Sequence, residues 1–278
     1  MLAPGTYSQD SQTVLNVSPF TTAALSIVVH GGGAIVADTT DGQPLIEIEL
    51  PTTIRDLEVR ATGLFGIGLR ASNVAILERV KVSGRIGIVA QSSMTIRELS
   101  STATEIGIDI AGGALVLDRA TISGGENGIH ASSGSINISN VLIFGTSKAG
   151  IDLTTGSLVS GSIDSVTVTD TGLGATSGAA GLTCSGLITV RSSIVWTPGA
   201  ARPAAVGCNS FTATIVGPSG AVGAMNVNPR FVDPAARDYH LLQDSPAKDA
   251  VDVGPPLDID GDQRPRGPRF DIGADEAP

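Results

Sequence analysis

Short runs in which apolar and polar residues alternate follow one another along most of the chain, and each is broken after a few residues by Gly, Ser, Thr, Asn or Asp. Leu45-Ile46-Glu47-Ile48-Glu49, Ala120-Thr121-Ile122 and Ile136-Asn137-Ile138 are examples, and Leu115-Val116-Leu117 and Val141-Leu142-Ile143 are short runs of the same kind that are apolar throughout. A strand sends successive side chains to opposite faces, so each run predicts a short strand with Ile, Val and Leu on one side and polar groups on the other. No apolar set recurs at the helical spacing of 3.6, which excludes helical repeats, and the Leu ladder with its Asn that marks leucine-rich repeats is missing.

A longer period is laid over the alternation. Gly-Ile, once Gly-Leu, recurs at Gly66-Ile67, Gly87-Ile88, Gly107-Ile108, Gly128-Ile129, Gly150-Ile151 and Gly181-Leu182, in steps of 21, 20, 21, 22 and 31 residues. The step extends back to Ile46 and forward to Val206, which gives eight candidate coils. One coil cannot bury its own apolar edge, whereas coils stacked about 4.8 Å apart share a continuous interior and pair their backbones above and below. The expected fold is therefore all-β: a right-handed parallel β-helix of about 21-residue coils over residues 1–225, closed by a loop-rich cap over 226–278. The long step holds an insertion, Thr171-Gly172-Leu173-Gly174-Ala175-Thr176-Ser177-Gly178, which reads either as a binding-face loop or as tolerated length variation.

Composition adds limits. Seventeen Lys and Arg against 27 Asp and Glu leave a net charge of −10, which disfavours nucleic acid and anionic bilayers as partners. No apolar stretch approaches the length that spans a membrane. Met1-Leu2-Ala3-Pro4-Gly5 has no signal-peptide character, and Ala3-Pro4-Gly5-Thr6-Tyr7 reads like the middle of a strand-turn unit, as if the chain opened inside a longer protein. Nine aromatics offer few stacking faces for sugars, and Phe65, two before Ile67, is expected to point into the core. Cys184 and Cys208 each lie two residues after the repeat position of neighbouring coils. That shared inward column leaves two readings open, a disulfide or a pair of buried thiols.

From Asn226 the grammar changes to Pro, Asp and Arg: Asn228-Pro229-Arg230-Phe231-Val232-Asp233-Pro234, Asp238-Tyr239-His240-Leu241, Ser245-Pro246-Ala247-Lys248-Asp249, Asp258-Ile259-Asp260-Gly261 and Asp271-Ile272-Gly273-Ala274-Asp275-Glu276. Prolines and charged loops are the means by which an open strand edge is covered. This tail, with Ser192-Ser193-Ile194-Val195-Trp196 before it, resembles the C-terminal region of bacterial β-helix proteins of the pectate-lyase-like superfamily, in particular the choice-of-anchor Q type. Asn228, Lys248 and Val251 depart from that pattern. The resemblance implies the fold and an extracellular or cell-surface location. It implies little about activity, because the fold serves lyases, hydrolases, adhesins and structural proteins.

Candidate chemistry comes from the register. One residue after the repeat isoleucine the solvent-facing column reads Glu47, Gly68, Val89, Asp109, His130, Asp152, Thr183, Gly207. Asp109, His130 and Asp152 then stand in a row, with the carboxylates about 9.6 Å apart, just beyond the range of inverting glycosidases. The row could carry acid-base catalysis, hold a cation, or be an ordinary polar face. The next outward column, Glu49, Arg70, Gln91, Ala111, Ser132, Thr154, Ser185, Asn209, would border it with groups that bind a sugar or ladder with one another. Asp258, Asp260 and Asp262, alternating around Gly261, could converge on calcium or form a plain Asx turn salt-bridged to Arg264 or Arg266. No other cofactor is expected, and His30, before three glycines, reads as a turn residue. The Asp-Asp pair and Gly-His-Gly of the polygalacturonases are absent from the sequence. The leading expectation is a secreted or surface module that binds polysaccharide or another envelope component. The rivals are a polysaccharide lyase or glycoside hydrolase using Asp109, His130 and Asp152, and a self-associating scaffold.

Overall fold

The computed structural model describes residues 42–153 and 159–277, together with the strand backbone of 6–7, 15–17 and 27–38. Met1 to Gly5 and Thr154 lie outside the described residues. Among the described residues nineteen strands form one continuous sheet wound into a parallel solenoid, and a two-stranded antiparallel ribbon sits apart in the tail. Each coil contributes three strands. The first carries the repeat glycine near its start, as in Asn127–Ala131 and Ala149–Leu153; the second and third share long bent segments such as Ala114–Ser123, Ser135–Phe144 and Ser160–Thr169.

Stacking is in register. Ile108, Ile129, Ile151 and Leu182 align down the first-strand flank, Leu117, Ile138, Ile163 and Val190 down the second, and Ile122, Ile143, Val168 and Val195 down the third. These inward residues form one core that runs from Leu45 to Val216. The repeat glycine has a steric cause. A Cβ on Gly150 would stand 2.2 Å from Val168 Cγ1, and one on Gly128 would stand 2.5 Å from Ile143 Cγ2, because the corner between the first and third strands brings backbone against side chain.

The bend between second and third strands is made by a column of left-handed residues: Asp56, Arg79, Glu98, Arg119, Asn140, Ser165, Ser192 and Ala213, with φ between 47° and 58°. A left-handed non-glycine costs about 1–2 kcal/mol. Here several of those side chains pair down the stack. Arg79 donates to Asp56 at 2.5 and 3.1 Å, Arg119 to Glu98 at 2.8 Å, and Asn140 to Asp118 at 2.9 Å.

Three expectations shift. The second coil is registered on Gly68-Leu69, not Gly66-Ile67: Ile46 pairs with Leu69, Glu47 with Arg70, and Arg70 with Val89. Phe65 consequently falls in the turn ahead of the strand and is 56% exposed instead of buried. At the other end Val206, not Gly207, stands opposite Thr183. His30 lies in strand Ile27–Asp38, paired with Arg55, instead of a turn. Cys184 and Cys208 form a disulfide across neighbouring coils with their Cα atoms 4.8 Å apart.

The tail does not lie over the end of the stack. The end is closed by the preceding loop, where Met225 pairs with Thr214 and Val216 and where Ala221 and Ala224 pack on the main core. Residues beyond it pack sideways, on the outward face of the third strands. Phe231, Tyr239, Leu241, Val251 and Ile272 form a second apolar cluster with Ile194 and Ile215 and against Leu142, Phe144 and Trp196. Further back along that face the outward column is polar, with Glu58, Lys81, Ser100 and Thr121 in register. Under the apolar cluster of the tail it continues as Leu142, Thr167, Ile194 and Ile215.

Polar anchors fix the tail in place. The Arg264 guanidinium, fully buried, donates to Glu276 at 2.8 Å, to the Asp271 and Gly273 carbonyls at 2.7 and 3.2 Å, and to Asn140. Tyr239 donates its hydroxyl to Asp170 at 2.7 Å, and the Ala274 amide donates to Thr167 at 3.0 Å. Burial and the Asp170 charge push the Tyr239 phenol well above its ordinary range.

Candidate functional site

The first-strand flank brings Asp109, His130 and Asp152 into one row. His130 is in register with Asp109 on one side and with Asp152 on the other. The row sits on the next-to-last residue of strands whose flanking residues, Ile129, Ala131, Ile151 and Leu153, are all inward, so alternation obliges these three to face out. His130 Nδ1 and Asp109 Oδ1 are 2.7 Å apart, with both side chains about one quarter exposed. The Asp109 hydrogen bond is the main reason why the imidazole is held above its ordinary pKa; burial opposes this and the Asp152 charge assists it. With the corrected register the column reads Glu47, Arg70, Val89, Asp109, His130, Asp152, Thr183, Val206. Arg70 thus shares the column but pairs with Glu47 at 3.3 Å, and Val89 separates it from the row.

The insertion stands over the end of this row. Its amides at Gly172 and Gly174 donate to the carbonyls of Thr146 and Ser147, and Arg202 donates to the Gly178 carbonyl. Between the insertion and the strands lies a cleft of about 500 Å³, lined by Lys148, Asp152, Thr176, Ser177 and Thr183 among others. That volume falls within the range of small-molecule sites. The hydroxyl column beside the row turns toward the backbone: Ser72 and Ser132 donate to Ile48 and Ile110 carbonyls of the neighbouring coil at 3.1 and 3.3 Å.

A larger groove, about 640 Å³, runs between the second-strand flank and the tail. Its lining includes Asn137, Asp164, Arg191, Asp252 and Arg269. The charges there pair with one another, Arg191 with Asp164 at 3.0 Å and Arg269 with Asp252 at 2.8 Å. Sequence reasoning could not find this groove, because it exists only once the tail is laid sideways.

The calcium candidates are divided among different partners. Asp258 is completely buried, and its Oδ1 accepts the amides of Asp260 and Asp262 at 3.0 and 2.8 Å, an Asx turn. Asp262 pairs with Arg266 at 3.1 Å. Asp260 faces His240 Nε2 at 3.1 Å, while His240 Nδ1 meets Asp238 at 2.5 Å. The Asp238 hydrogen bond, with help from Asp275 and Asp260, pushes the His240 imidazole up to about 9. Burial pushes the Asp275 carboxyl up to about 6 against the opposing pull of His240. His240 and Asp275 were not singled out from sequence; the signal available was their place in the two tail motifs, Asp238-Tyr239-His240-Leu241 and Ile272-Gly273-Ala274-Asp275-Glu276.

No family model matches the chain, and no curated protein matches it. Among solved structures, the crystal structure of pectate lyase Pel9A matches with a TM-score of 0.56 and 12% sequence identity, over 99% of this chain and 86% of that one. At that identity the likeness establishes the fold, a pectate-lyase-like right-handed parallel β-helix, and leaves the chemistry to the residues of this chain.

Proposed function

We propose that this protein is an extracellular or cell-surface polysaccharide-binding β-helix whose ligand lies along the first-strand flank. The observation that carries the reading is that the insertion into the coil repeat builds a cleft at the end of the Asp109, His130, Asp152 row. Carboxylates accept hydrogen bonds from sugar hydroxyls; Lys148 and Thr183 on the strand side and Thr176 and Ser177 on the insertion add donors and acceptors. The net charge of −10 favours a neutral, hydroxyl-rich polymer over a polyuronate. The disulfide supports an oxidising compartment. The tail motifs support the bacterial choice-of-anchor Q type, and the Pel9A fold likeness supports a polysaccharide-related role.

Calorimetric titration with neutral and uronic oligosaccharides tests the reading. Saturable binding of a neutral oligosaccharide should weaken at least tenfold in Asp152→Asn and in a chain with residues 173–177 shortened. Equal binding by wild type and both variants would overturn it. The Asp109-His130 contact favours a second reading, glycosidic cleavage with His130 as a general acid oriented by Asp109. Release of shorter sugars by wild type, lost in His130→Gln with binding retained, would select that reading over pure binding.

A further inference from the structure

The tail holds a second group of ionisable side chains, on the flank opposite in kind to the proposed sugar face. Three segments distant in sequence meet there: Asp238–Leu241, the loop around Gly261, and the C-terminal Asp271 to Glu276 stretch. One ligand-type atom from each of His240, Asp260 and Asp275 lies within 4.8 Å of the others. His240 Nε2 and Asp260 Oδ2 are 3.1 Å apart. Two donors bound tetrahedrally at about 2.1 Å would stand about 3.4 Å apart, so little movement separates this spacing from a coordinated one.

Two further observations point to a cation. His240 has its other ring nitrogen, Nδ1, against the Asp238 carboxylate at 2.5 Å. This is the arrangement in which a carboxylate fixes the tautomer of a metal-bound imidazole and turns Nε2 toward the ion. The second observation is Asp258. Its side chain is completely buried, and while Oδ1 is satisfied by two loop amides, Oδ2 has no hydrogen-bond partner. The Ile259 amide donates to the Ala274 carbonyl at 2.9 Å, which lays Asp258 alongside Asp275, and its charge acts on Asp275 together with that of Asp260. A bare, buried carboxylate oxygen near two other carboxylates leaves an acceptor unsatisfied where water does not reach it. His240 offsets part of the charge on Asp275, and Arg79 and Arg119, on the coil face next to Asp260, are engaged by Asp56 and Glu98.

We infer that His240, Asp260 and Asp275, with the bare oxygen of Asp258 beside them, form a binding site for a divalent transition-metal cation of the Zn²⁺ type. An imidazole nitrogen among the donors selects such an ion over calcium, which takes six to eight oxygens. The ion would staple the ribbon, the Asp258–Asp262 turn and the C-terminal stretch to one another where the tail lies on the coils.

The test uses the full chain stripped of metal with a chelator and titrated with ZnCl₂, read by calorimetry and by thermal unfolding. One Zn²⁺ per chain should bind and raise the unfolding midpoint, and calcium should bind at least a hundredfold more weakly. His240→Ala, at a half-exposed side chain, should fold as the metal-free wild type does and lose at least a hundredfold in Zn²⁺ affinity. Asp238→Asn should lose between ten- and a hundredfold through misorientation of the imidazole. His130→Gln, at the other histidine cluster, should leave the stoichiometry and affinity unchanged. Absence of stoichiometric binding, unchanged binding in His240→Ala, or loss of the site in His130→Gln would each overturn the inference.

Discussion

The first-strand and third-strand flanks are made by the same coils, with the same spacing and the same alternation, yet they end up in opposite states. On the third-strand flank the outward column becomes apolar at Leu142, Ile194 and Ile215 and is sealed by the tail. On the first-strand flank the corresponding column becomes ionisable at Asp109, His130 and Asp152, and a polar loop laid beside it makes a cleft. Inward residues determine that a coil forms; outward residues determine what is laid against it. An outward position is cheap to vary because strand pairing does not depend on it, and this is how one repeat can present a docking face for its own chain on one side and a ligand face on the other.

The comparison breaks most sharply at Arg264. Its guanidinium ties Glu276, the Asp271 and Gly273 carbonyls and Asn140 together in a buried place. Removing one member of a buried ion pair leaves an uncompensated charge, at a cost of about 3–5 kcal/mol. Arg264→Ala should therefore release the tail by about that amount, seen as an early denaturant transition and protease cleavage beyond residue 226, while the coils keep their β signal. A single cooperative loss of coils and tail together would show that the third-strand flank cannot stand uncovered.

A smaller effect is expected from the corner common to both flanks. Gly150→Val would drive side-chain atoms into Val168, an overpacking that costs about 1–3 kcal/mol. Because the strain is relieved by moving Ile151 and Asp152 outward, the change should also reduce oligosaccharide binding at the neighbouring cleft while leaving the tail anchored. Chemical denaturation and sugar titration of the same variant check both halves.

Much of this is legible in the sequence. The Gly-Ile period marks the corners because only glycine fits there, and Cys184 with Cys208 could be placed on neighbouring coils by counting alone. Counting failed where the period slipped. Gly66-Ile67 has the right letters, but Gly68-Leu69 holds the corner, since Val82 is the side chain a Cβ there would strike. That error of two residues hid the exposure of Phe65 and put Arg70 in the wrong column. The row Asp109, His130, Asp152 is readable because the two steps that join it, 21 and 22 residues, keep the period. The sideways course of the tail is not readable, for its anchoring contacts join residues 69 to 124 apart, as Tyr239 and Asp170 or Arg264 and Asn140 are. The switch to Leu142, Ile194 and Ile215 in an otherwise polar outward column was the available sign, and it says only that something covers that face. The grouping of His240 with Asp260 and Asp275 depends on that same course.

The mildest prediction concerns protons on the open flank. Asp109, and more weakly Asp152, hold the His130 pKa above its ordinary value of 6.5 in the folded protein. A raised folded value means that the native chain binds the proton more tightly than the unfolded one, so the contribution is fully present below about pH 6.5 and fades as pH rises through the folded value. His240, held up to about 9 by Asp238, titrates with the same sign, so wild type alone cannot isolate the effect. The difference in unfolding free energy between wild type and His130→Gln should favour wild type at pH 6 and shrink steadily toward pH 9, by less than the Arg264 effect. Sugar binding should follow the same course if the imidazolium donates to the ligand. A difference that is flat with pH would mean that Asp109 holds a neutral imidazole, and the open flank would then present two carboxylates without a cation between them.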